Sequence, residues 1–582
     1  MFRLLLKEVK EYKKASIATP LCMILEVAME MSVPFLMASI IDNGVEKGNL
    51  AHIYSVGAIM IVAAVIGLFA GLAGGRLGAK ASAGFAKNLR ERLFNHIQTF
   101  SFANIDKFST AGLVTRLTTD ITNIQMAYQM SLRMFTRAPA TLIWAMAMAF
   151  YINKRIASIY LIAVLLLACV LIFIMSRATK YFQQAFPKYD EMNAAVQENV
   201  SGVRVVKAYV REKEETEKFK KTSNNIYKIF VRAEKNIIYN GPVMQLTVYS
   251  CILLISWIGA KMIVSSSLTK GELMSLLTYC MNILSSLMML SMVFIMITMS
   301  TASMKRIAEV LRETSDITNP EEPIFEVADG SVEFRNVNFS YEKDSVQPVL
   351  KDISLQIRSG ETIGVMGATG SAKTSLVNLI SRLYDVTEGE ILVGGHNVKD
   401  YDLESLRNQV SVVLQNNVLF SGTILDNLRW GKNDATEEEC RQACKLACAD
   451  EFIQRFPDGY NTQIEQGGTN VSGGQKQRLC IARALLKKPK ILILDDSTSA
   501  VDTATDAKIR KAFAEEIPNT TKFIIAQRIS SIQSADRIIV MENGQVSGFG
   551  SHDELLENNE IYREVYESQT KGGGDFDERV GE

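Results

Sequence analysis

The sequence predicts an all-α membrane domain of six spanning helices fused to an α/β domain. Long apolar segments crowd the first half of the 582 residues, whereas charge and Gly-rich loops fill the second half. Six of these segments approach the roughly 20 apolar residues that a helix needs to cross a bilayer. After residue 330, short apolar strands alternate with helical patterns, an order that is typical of an α/β domain.

The six predicted spans have soft edges, and the third and fourth are short. Only residues 153–156 separate these two, so we expect a tight hairpin. The spans are Ile17–Ile41, Ile53–Gly75, Phe135–Ile152, Ala157–Ile174, Val243–Val264 and Leu273–Met299.

Loop charge predicts the orientation of these spans. The connections after the second and fourth spans are long and rich in Lys and Arg, which places them and both termini in the cytosol. Lys154 and Arg155 run against that rule but are outweighed. Long structureless loops are uncommon, so the helices are expected to continue into the cytosol and turn there. The basic amphipathic N-terminus, residues 1–14, is interpreted as an interfacial helix without a cleavage site.

Composition sets the remaining boundaries. We assign residues 1–310 to the membrane domain, 311–329 to a Pro-containing acidic linker, 330–568 to the α/β domain and 569–582 to a disordered acidic tail. Basic and acidic residues number 63 each, and this balance argues against nucleic-acid binding. Cys440, Cys444 and Cys448 recur at helical spacing without a nearby His, which favours a partly buried helix face over a metal site.

A Gly-rich run from Ile363 to Thr374 lies between a predicted strand and a predicted helix. Backbone N–H groups of such a loop, which includes Gly367 and Gly370, cradle phosphates at a helix N-terminus. In this pattern Lys373 reaches the β- and γ-phosphates, and Thr374 ligates Mg²⁺. Ala372 stands where the pattern has Gly, so either its methyl group crowds the loop or it is an introduced substitution.

A second apolar strand, Ile491–Leu494, ends in two carboxylates, Asp495 and Asp496. An Asp at the end of a buried strand can hold magnesium, although strand-end turns with Asp are frequent by themselves. Lys373 upstream makes the magnesium interpretation the stronger one.

The segment Val471-Ser-Gly-Gly-Gln-Lys-Gln-Arg478 is the most specific signal in the chain. Its residues Ser472, Gly473, Gly474 and Gln475 closely resemble the signature motif of ATP-binding cassette (ABC) proteins.

Three further residues match the same family pattern in order along the chain. By resemblance, Tyr341 stacks on adenine, and Gln415 senses Mg²⁺, which it shares with Thr374 and Asp495. Asp502, in the run 499–502, matches the loop that communicates across the dimer.

Apart from the tail, the whole chain resembles the type IV ABC exporters, most closely one subunit of the heterodimeric bacterial multidrug exporters. The resemblance implies two cassettes arranged head to tail, with each Mg-ATP between one subunit's phosphate loop and the other subunit's signature. It also implies coupling helices at the cytosolic loop tips, near Ser109–Arg116 and Ser201–Ala208.

Departures from the family pattern cluster in one site. Active members have Glu where this chain has Asp496, and His where it has Gln527. A misplacement of about 1 Å can cost on the order of 10²-fold in rate, and a neutral amide cannot carry a proton. With Ala372, three changes affect one site while the signature is intact. We therefore expect a degenerate catalytic set, Asp496 and Gln527, and a different half-transporter as partner.

Two features of the spans leave alternatives open. Glu26 and Glu30 share a face of the first span, and either attract cations in a transport path or form a helix-packing pair. Met288, Met292, Met296 and Met299 form a stripe on the last span that suits a promiscuous cavity or ordinary packing.

The predicted function is ATP-driven export or flipping of small amphipathic or hydrophobic compounds across a bacterial cytoplasmic membrane. The expected partners are the lipid bilayer, the substrate and the second half-transporter, with no nucleic acid. Lipid or peptide export by the same fold remains an alternative. A regulatory or channel-like subunit that binds ATP without pumping is another.

Overall fold

The computed structural model describes residues 1–341, 347–497 and 500–571. Within it the chain divides into two compact units. The first unit contains residues 1–99 and 109–313, and the second contains residues 100–108 together with the chain from 314 onward. The predicted tail from 572 lies outside the described residues.

The first unit is all α-helical, as predicted. Its helices, with α4 of the second unit included in chain order, are α1 (Phe2–Leu6), α2 (Lys13–Ser39), α3 (Leu50–Gln98), α4 (Phe102–Phe108), α5 (Thr110–Thr115), α6 (Ile121–Ile152), α7 (Lys154–Ser201), α8 (Val203–Ala208), α9 (Glu212–Ile237), α10 (Asn240–Val264) and α11 (Lys270–Val310).

The predicted hairpin between the third and fourth spans is confirmed. Helix α6 ends at Ile152 and α7 begins at Lys154, so a single residue, Asn153, makes the turn. The Asn153 side chain caps α7 by accepting hydrogen bonds from the N–H groups of Arg155 (3.0 Å) and Ile156 (3.2 Å). This cap satisfies amide groups that would otherwise have no intrahelical partner.

Five helical segments of the described chain are long and apolar enough to cross a membrane. They lie within residues 2–45, 50–98, 154–174, 240–264 and 270–310. The third predicted span, Phe135–Ile152, lies in α6, which is not among the five. Arg137 and Pro139 within this predicted span lower its apolar content.

The helices of the second and fourth predicted spans continue beyond those spans, as predicted, since α3 and α7 run for 49 and 48 residues. The N-terminal segment packs on α3. Glu8 is buried there, pairs with Arg92, and accepts a hydrogen bond at its backbone oxygen from Asn88 (3.0 Å).

The second unit is an α/β domain. Its strands are β1 (Val332–Phe339), β2 (Leu350–Ile357), β3 (Thr362–Gly367), β4 (Glu388–Val393), β5 (His396–Asn397), β6 (Val410–Val413), β7 (Gly422–Thr423), β8 (Gln463–Ile464), β9 (Ile491–Asp495), β10 (Thr521–Ile525), β11 (Arg537–Glu542) and β12 (Gln545–Gly550).

Nine helices complete the described part of this domain. They are α12 (Lys373–Ile380), α13 (Leu403–Gln409), α14 (Ile424–Arg429), α15 (Glu437–Leu446), α16 (Asp450–Ile453), α17 (Gly473–Leu485), α18 (Thr503–Glu516), α19 (His552–Asn558) and α20 (Glu560–Lys571). Cys440 and Cys444 on α15 pack into the hydrophobic core, in agreement with the helix-face interpretation, whereas Cys448 lies beyond the end of α15, at φ 52°.

The sheet topology brings the ends of four strands together. The six-stranded sheet has the order β12-β11-β3-β10-β9-β6, and β3, β10, β9 and β6 pair in parallel. Residues that follow these strands therefore emerge at one edge, where ligands bind in open α/β sheets. An antiparallel sheet, β2-β1-β4-β5, forms a second layer.

Two segments differ from the predicted boundaries. Most of the predicted linker belongs to the second unit, because Val327 is buried in its core and Ile324 pairs with Tyr401. Residues 100–108 also belong to this unit, and they precede the predicted coupling segment Ser109–Arg116. Their helix, α4, accepts a hydrogen bond at Asp106 from the Tyr384 hydroxyl (2.8 Å).

Candidate nucleotide site

The phosphate loop has the backbone that its glycines require. Gly367 ends β3 with φ 151°, and a Cβ there would lie 2.2 Å from the Met541 backbone oxygen. Gly370 has φ 86°. Lys373 then opens α12, so the loop leads from a buried strand directly into a helix N-terminus, as the sequence predicts.

The Lys373 ammonium group lies against the loop itself. Its Nζ donates to the backbone oxygens of Gly367 (2.8 Å) and Ala368 (2.9 Å). Partial burial lowers the pKa of Lys373, while the carboxylates of Asp495 and Asp496 oppose that shift. The charge is therefore already positioned where phosphate oxygens would replace the two backbone acceptors.

Ala372 adopts a conformation that favours glycine. Its φ is 72° and its ψ is 24°, in the left-handed region, where a Cβ costs roughly 1–2 kcal/mol. Its methyl group packs against the hydrophobic core beneath the loop. The methyl group of Ala372 is expected from the sequence to crowd the loop. The structure shows instead backbone strain at Ala372, immediately before Lys373.

Thr374 and Asp495 form a group that suits magnesium. Thr374 Oγ1 donates to Asp495 Oδ1 at 3.1 Å, and Asp495 Oδ2 is buried without a hydrogen-bond partner among the described residues. Burial raises the pKa of Asp495, and the Thr374 hydrogen bond opposes the shift. A hydroxyl and a carboxylate are the hard oxygen ligands that Mg²⁺ prefers, so these residues fit the ion.

A neutral amide bonds to Asp496. Its Oδ2 accepts from Gln527 Nε2 at 3.1 Å, and the side chain of Gln415 lies close enough to lower its pKa. The pKa of Asp496 is raised by burial, and the Gln527 hydrogen bond, the Lys373 charge and the Gln415 side chain each oppose that rise. The three predicted residues Gln415, Asp496 and Gln527 therefore lie together, and the groups that this cluster brings to the carboxylate are amides.

Tyr341 lies beside the start of α12, as an adenine-stacking residue requires. Its hydroxyl is 2.8 Å from Ser375 Oγ, two residues beyond Lys373. Its ring packs edge-on against Tyr384, with centroids 5.1 Å apart, and the residue remains 47% exposed. An exposed ring held in place by a second aromatic offers a face for a base.

The signature residues form a second group at the N-terminus of α17. Ser472 is the N-cap: its Oγ accepts from the Gln475 N–H (3.3 Å), and the Gln475 side-chain oxygen accepts from the Ser472 N–H (2.9 Å). Ser472 and Gly473 are exposed. A capped helix with exposed first residues presents backbone N–H groups and positive potential outward.

The loop that carries Asp502 packs on this helix end. A Cβ on Gly474 would lie 2.7 Å from the Ala500 backbone oxygen, so only glycine permits this approach without a shift. Asp502 itself caps α18 by accepting from the Thr505 N–H (2.9 Å), a bond that lowers its pKa. Ser499, which was part of the predicted motif, lies outside the described residues.

Sequence reasoning missed Gln569 on α20. Its Nε2 donates to the Gln527 backbone oxygen (3.0 Å), and its Oε1 accepts from the Ile529 N–H (2.8 Å). One amide thus holds both sides of the loop that aims Gln527 at Asp496. No pattern indicated it, because the contact joins residues 40 positions apart.

Sequence reasoning also missed Arg137, the partner of the two intramembrane carboxylates. Its Nη1 donates to Glu26 (2.5 Å) and its Nη2 to Glu30 (2.7 Å). These contacts agree with the packing interpretation of Glu26 and Glu30. An arginine inside a predicted span was the available signal, since such a charge needs a partner.

Comparison with known proteins agrees with this geometry. The family model for the ABC transporter transmembrane region matches residues 16–288, and the ABC transporter model matches residues 350–499. The chain belongs to the ABC transporter family. It is an ATPase-type transporter of the exporter arrangement, embedded in a membrane through several apolar helices.

Two relatives illustrate the range of transporters in this family. The chain is 33% identical to the ATP-dependent lipid A-core flippase of Desulfotalea psychrophila, over 83% of this chain and 84% of the relative. It is 31% identical to YgaD of Bacillus subtilis, named as a candidate multidrug export ATP-binding/permease protein, over 96% of this chain and 98% of the relative.

A solved structure confirms the fold over nearly the whole chain. A bacterial Atm1-family ABC exporter with ATP bound superposes with a TM-score of 0.82 at 23% identity. The alignment covers 97% of this chain and 99% of that one. The predicted fold class, a helical membrane domain fused to an α/β ATP-binding domain, is therefore confirmed.

Proposed function

We propose that this chain is one subunit of a heterodimeric exporter that uses ATP to export or flip amphipathic or hydrophobic compounds, of the multidrug type, across a bacterial cytoplasmic membrane. Both termini are cytosolic in this proposal. Its own phosphate loop contributes to a slow ATP site, and its signature completes the competent site of a different half-transporter.

The observation that carries the proposal is the environment of Asp496. A general base needs a pKa near the working pH and a free path to the attacking water. Burial raises the pKa of Asp496, but its Oδ2 already accepts a hydrogen bond from Gln527 Nε2 (3.1 Å), and the Gln415 side chain lies nearby. Neither amide can exchange a proton, so this cluster suits ATP binding better than hydrolysis.

The binding residues of the same site support an ATP-holding role. Lys373 lies against the phosphate loop, Thr374 bonds to Asp495, and Tyr341 lies beside the start of α12, contacts that support binding of phosphate, magnesium and a base. ATP retained here could bias the complex toward engaged cassettes while the other site turns over, through its higher affinity for the engaged state.

The test compares the chain alone with the complete complex. The full chain is purified in nanodiscs alone, and again with a half-transporter of the same genome that carries the Glu and His that this chain lacks. We expect ATPase activity only in the pair. Equal turnover by the chain alone would overturn obligate heterodimerisation.

The double reversal Asp496→Glu with Gln527→His tests the degenerate site directly. It should raise turnover of the chain alone, because it supplies a longer carboxylate and a proton-carrying ring. The matched control is Asp426→Glu with Gln463→His, two changes at exposed positions outside the phosphate loop and its neighbours. An unchanged rate in the reversal would refute the assignment of these residues.

A further inference from the structure

The membrane unit contains a cavity of about 660 Å³ lined by α2, α3, α6 and α11. Most of its wall is apolar, but four charged side chains also line it. They are Glu26, Glu30, Arg133 and Arg137. Charged groups are costly in a membrane and usually face protein or a water-filled space, so four charges in one cavity mark it as a candidate binding site.

Three of the four charges form a closed group. Arg137 divides its two terminal nitrogens between Glu26 and Glu30, at 2.5 and 2.7 Å. One guanidinium thus serves two carboxylates, and the group of three carries one net negative charge. Glu30 is the more accessible carboxylate, since its side chain is 47% exposed against 19% for Glu26.

Arg133 is the fourth charge and has no such partner. Among the residues that the structure describes, no carboxylate lies within ion-pair distance of it, and its buried Nε lacks a hydrogen-bond acceptor. It precedes Arg137 by one helical turn of α6, about 6 Å along the axis. The cavity therefore has a positive end at Arg133 and a negative end at Glu30.

Small residues on α3 make room for these side chains. A Cβ on Gly71 would lie 3.1 Å from the Glu26 carboxyl carbon, and a Cβ on Gly78 would lie 3.3 Å from the Arg133 methylenes. The rest of the wall includes small and apolar residues such as Ala63, Gly67 and Leu68. The cavity thus combines a dipolar end with apolar surface.

We propose that this cavity binds the head of an amphiphile that carries both an anionic and a cationic group, the anion on Arg133 and the cation on Glu30. The inference rests on the proposed transport function and names a substrate class for it. A cationic head alone leaves Arg133 without a counter-charge, and an anionic head alone leaves the one net negative charge of the Glu26–Arg137–Glu30 group uncompensated. A zwitterionic head satisfies both ends without bringing net charge into the membrane.

The test uses three probes with the same twelve-carbon tail: dodecylphosphocholine, dodecyltrimethylammonium and dodecyl phosphate. Tritiated probes are bound, without ATP, to the full chain in nanodiscs of uncharged glycolipid. We expect the zwitterion to bind about tenfold more tightly than either singly charged probe, as one extra charge-assisted contact allows.

Variants separate the two ends of the cavity. Arg133→Gln should remove the preference for the zwitterion over the cation, and Glu30→Gln should remove its preference over the anion. Arg133→Lys keeps the charge and should retain most of the preference. Lys261→Gln, on α10 and outside this cavity, is the matched control. Equal affinity for the three probes, or an equal loss of all three in Arg133→Gln, would overturn the proposal.

Transport is measured separately, so that the two proposals can fail independently. Proteoliposomes of the pair are supplied with ATP, and movement of each probe is followed. A retained binding preference without ATP-driven movement would contradict the export function and leave the site standing. ATP-driven movement without any charge preference in binding would contradict the site and leave export standing.

Discussion

The residues around Asp496 and the signature residues around Ser472 lie in the same domain. They differ in whether their polar groups bond within the chain or are exposed. Around Asp496, polar side chains bond within the chain: Gln527 donates to Asp496, and Lys373 donates to the backbone of the phosphate loop. In the signature, Ser472 and Gln475 satisfy only the helix end, and the first residues stay exposed. The comparison shows two groups of one domain that differ in accessibility: polar side chains around Asp496 contact one another, whereas the start of α17 is exposed.

The largest effect is expected from Gly473→Glu. The added carboxylate would stand at the exposed start of α17, where it would repel the γ-phosphate of ATP in the partner's site. We expect loss of at least about 10²-fold in ATPase rate of the pair, as for removal of a preorganised anion site. Acidic residues stabilise a helix N-terminus, so the unfolding temperature should not fall. A rate near wild type would break the comparison.

A milder change sharpens the same point with a matched control. Ser472→Ala and Ser551→Ala each remove a serine from a capping box, at α17 and α19. Each should cost about 1 kcal/mol in helix stability. Only Ser472→Ala is expected to reduce turnover of the pair clearly; equal reductions would mean that the loss reflects stability alone.

Lys373→Ala is expected to abolish labelling of this chain by an azido-ATP analogue, because the ammonium that meets the phosphates is removed. Turnover of the pair should fall less than in Gly473→Glu, since the competent site keeps its own lysine. Lys511→Ala, at an exposed position on α18, serves as the control. Wild-type labelling after the Lys373 change would contradict ATP binding at this site.

Asp496→Asn should have a small effect on the pair. A working general base contributes about 10²–10⁴-fold, and we expect a loss far below that range because the Asp496 carboxylate already accepts from the Gln527 amide. Steady-state ATPase measurement decides the matter. A loss as large as that of Gly473→Glu would show that this chain's own site carries the turnover.

Ala372→Gly should relieve the left-handed strain and raise stability by about 1 kcal/mol. Asp352→Gly is a matched control, since Asp352 also has a positive φ (49°) but lies on β2 outside the phosphate loop. Thermal unfolding of the full chain should shift upward for both, whereas ATP affinity should rise only for Ala372→Gly. Unchanged ATP affinity would mean that the strain does not reach the nucleotide.

The smallest effect is expected from Gln569→Ala, which frees the loop between Gln527 and Ile529. In the Asp496→Glu, Gln527→His background this change should lower the ATPase rate constant with little effect on KM. The reason is that it alters the position of the side chain at residue 527 and leaves the ATP-binding residues in place. Gln569→Glu keeps the acceptor for the Ile529 N–H and should be intermediate. Ser568→Ala is the neighbouring control, and an equal response there would contradict a positioning role.

The sequence predicted the elements that depend on residues close together in the chain. The phosphate loop, the capped signature helix and the Asn153 hairpin each follow from residues within a few positions of one another. The Gln569 contact, the Arg137 bridge and the packing of α4 with Tyr384 could not be derived in this way. Each joins residues far apart in the chain, and their partners depend on how the helices and strands pack.

The Ala372 backbone shows a different limit. The sequence shows that Ala372 stands where the family pattern has Gly. Only the dihedral angles show that the alanine is accommodated with backbone strain and that its methyl group does not block the loop. The predicted linker, residues 311–329, illustrates a related limit. Pro and acidic residues are typical of linkers, yet Val327 is an apolar residue that the α/β core buries.

The assignment of residues 100–108 to the ATP-binding unit bears on how that unit can be isolated. A polypeptide that begins at residue 314 would contain every strand of the sheets but would lack α4. The Tyr384 hydroxyl would lose Asp106, and the Tyr384 ring would lose its edge contact with Phe102. Tyr384 in turn supports Tyr341, the residue proposed to meet the base. In such a fragment Tyr384 would lack its contacts with α4, so the measured nucleotide affinity would not be that of the intact chain. Adding residues 100–108 as a peptide offers a direct way to restore these contacts.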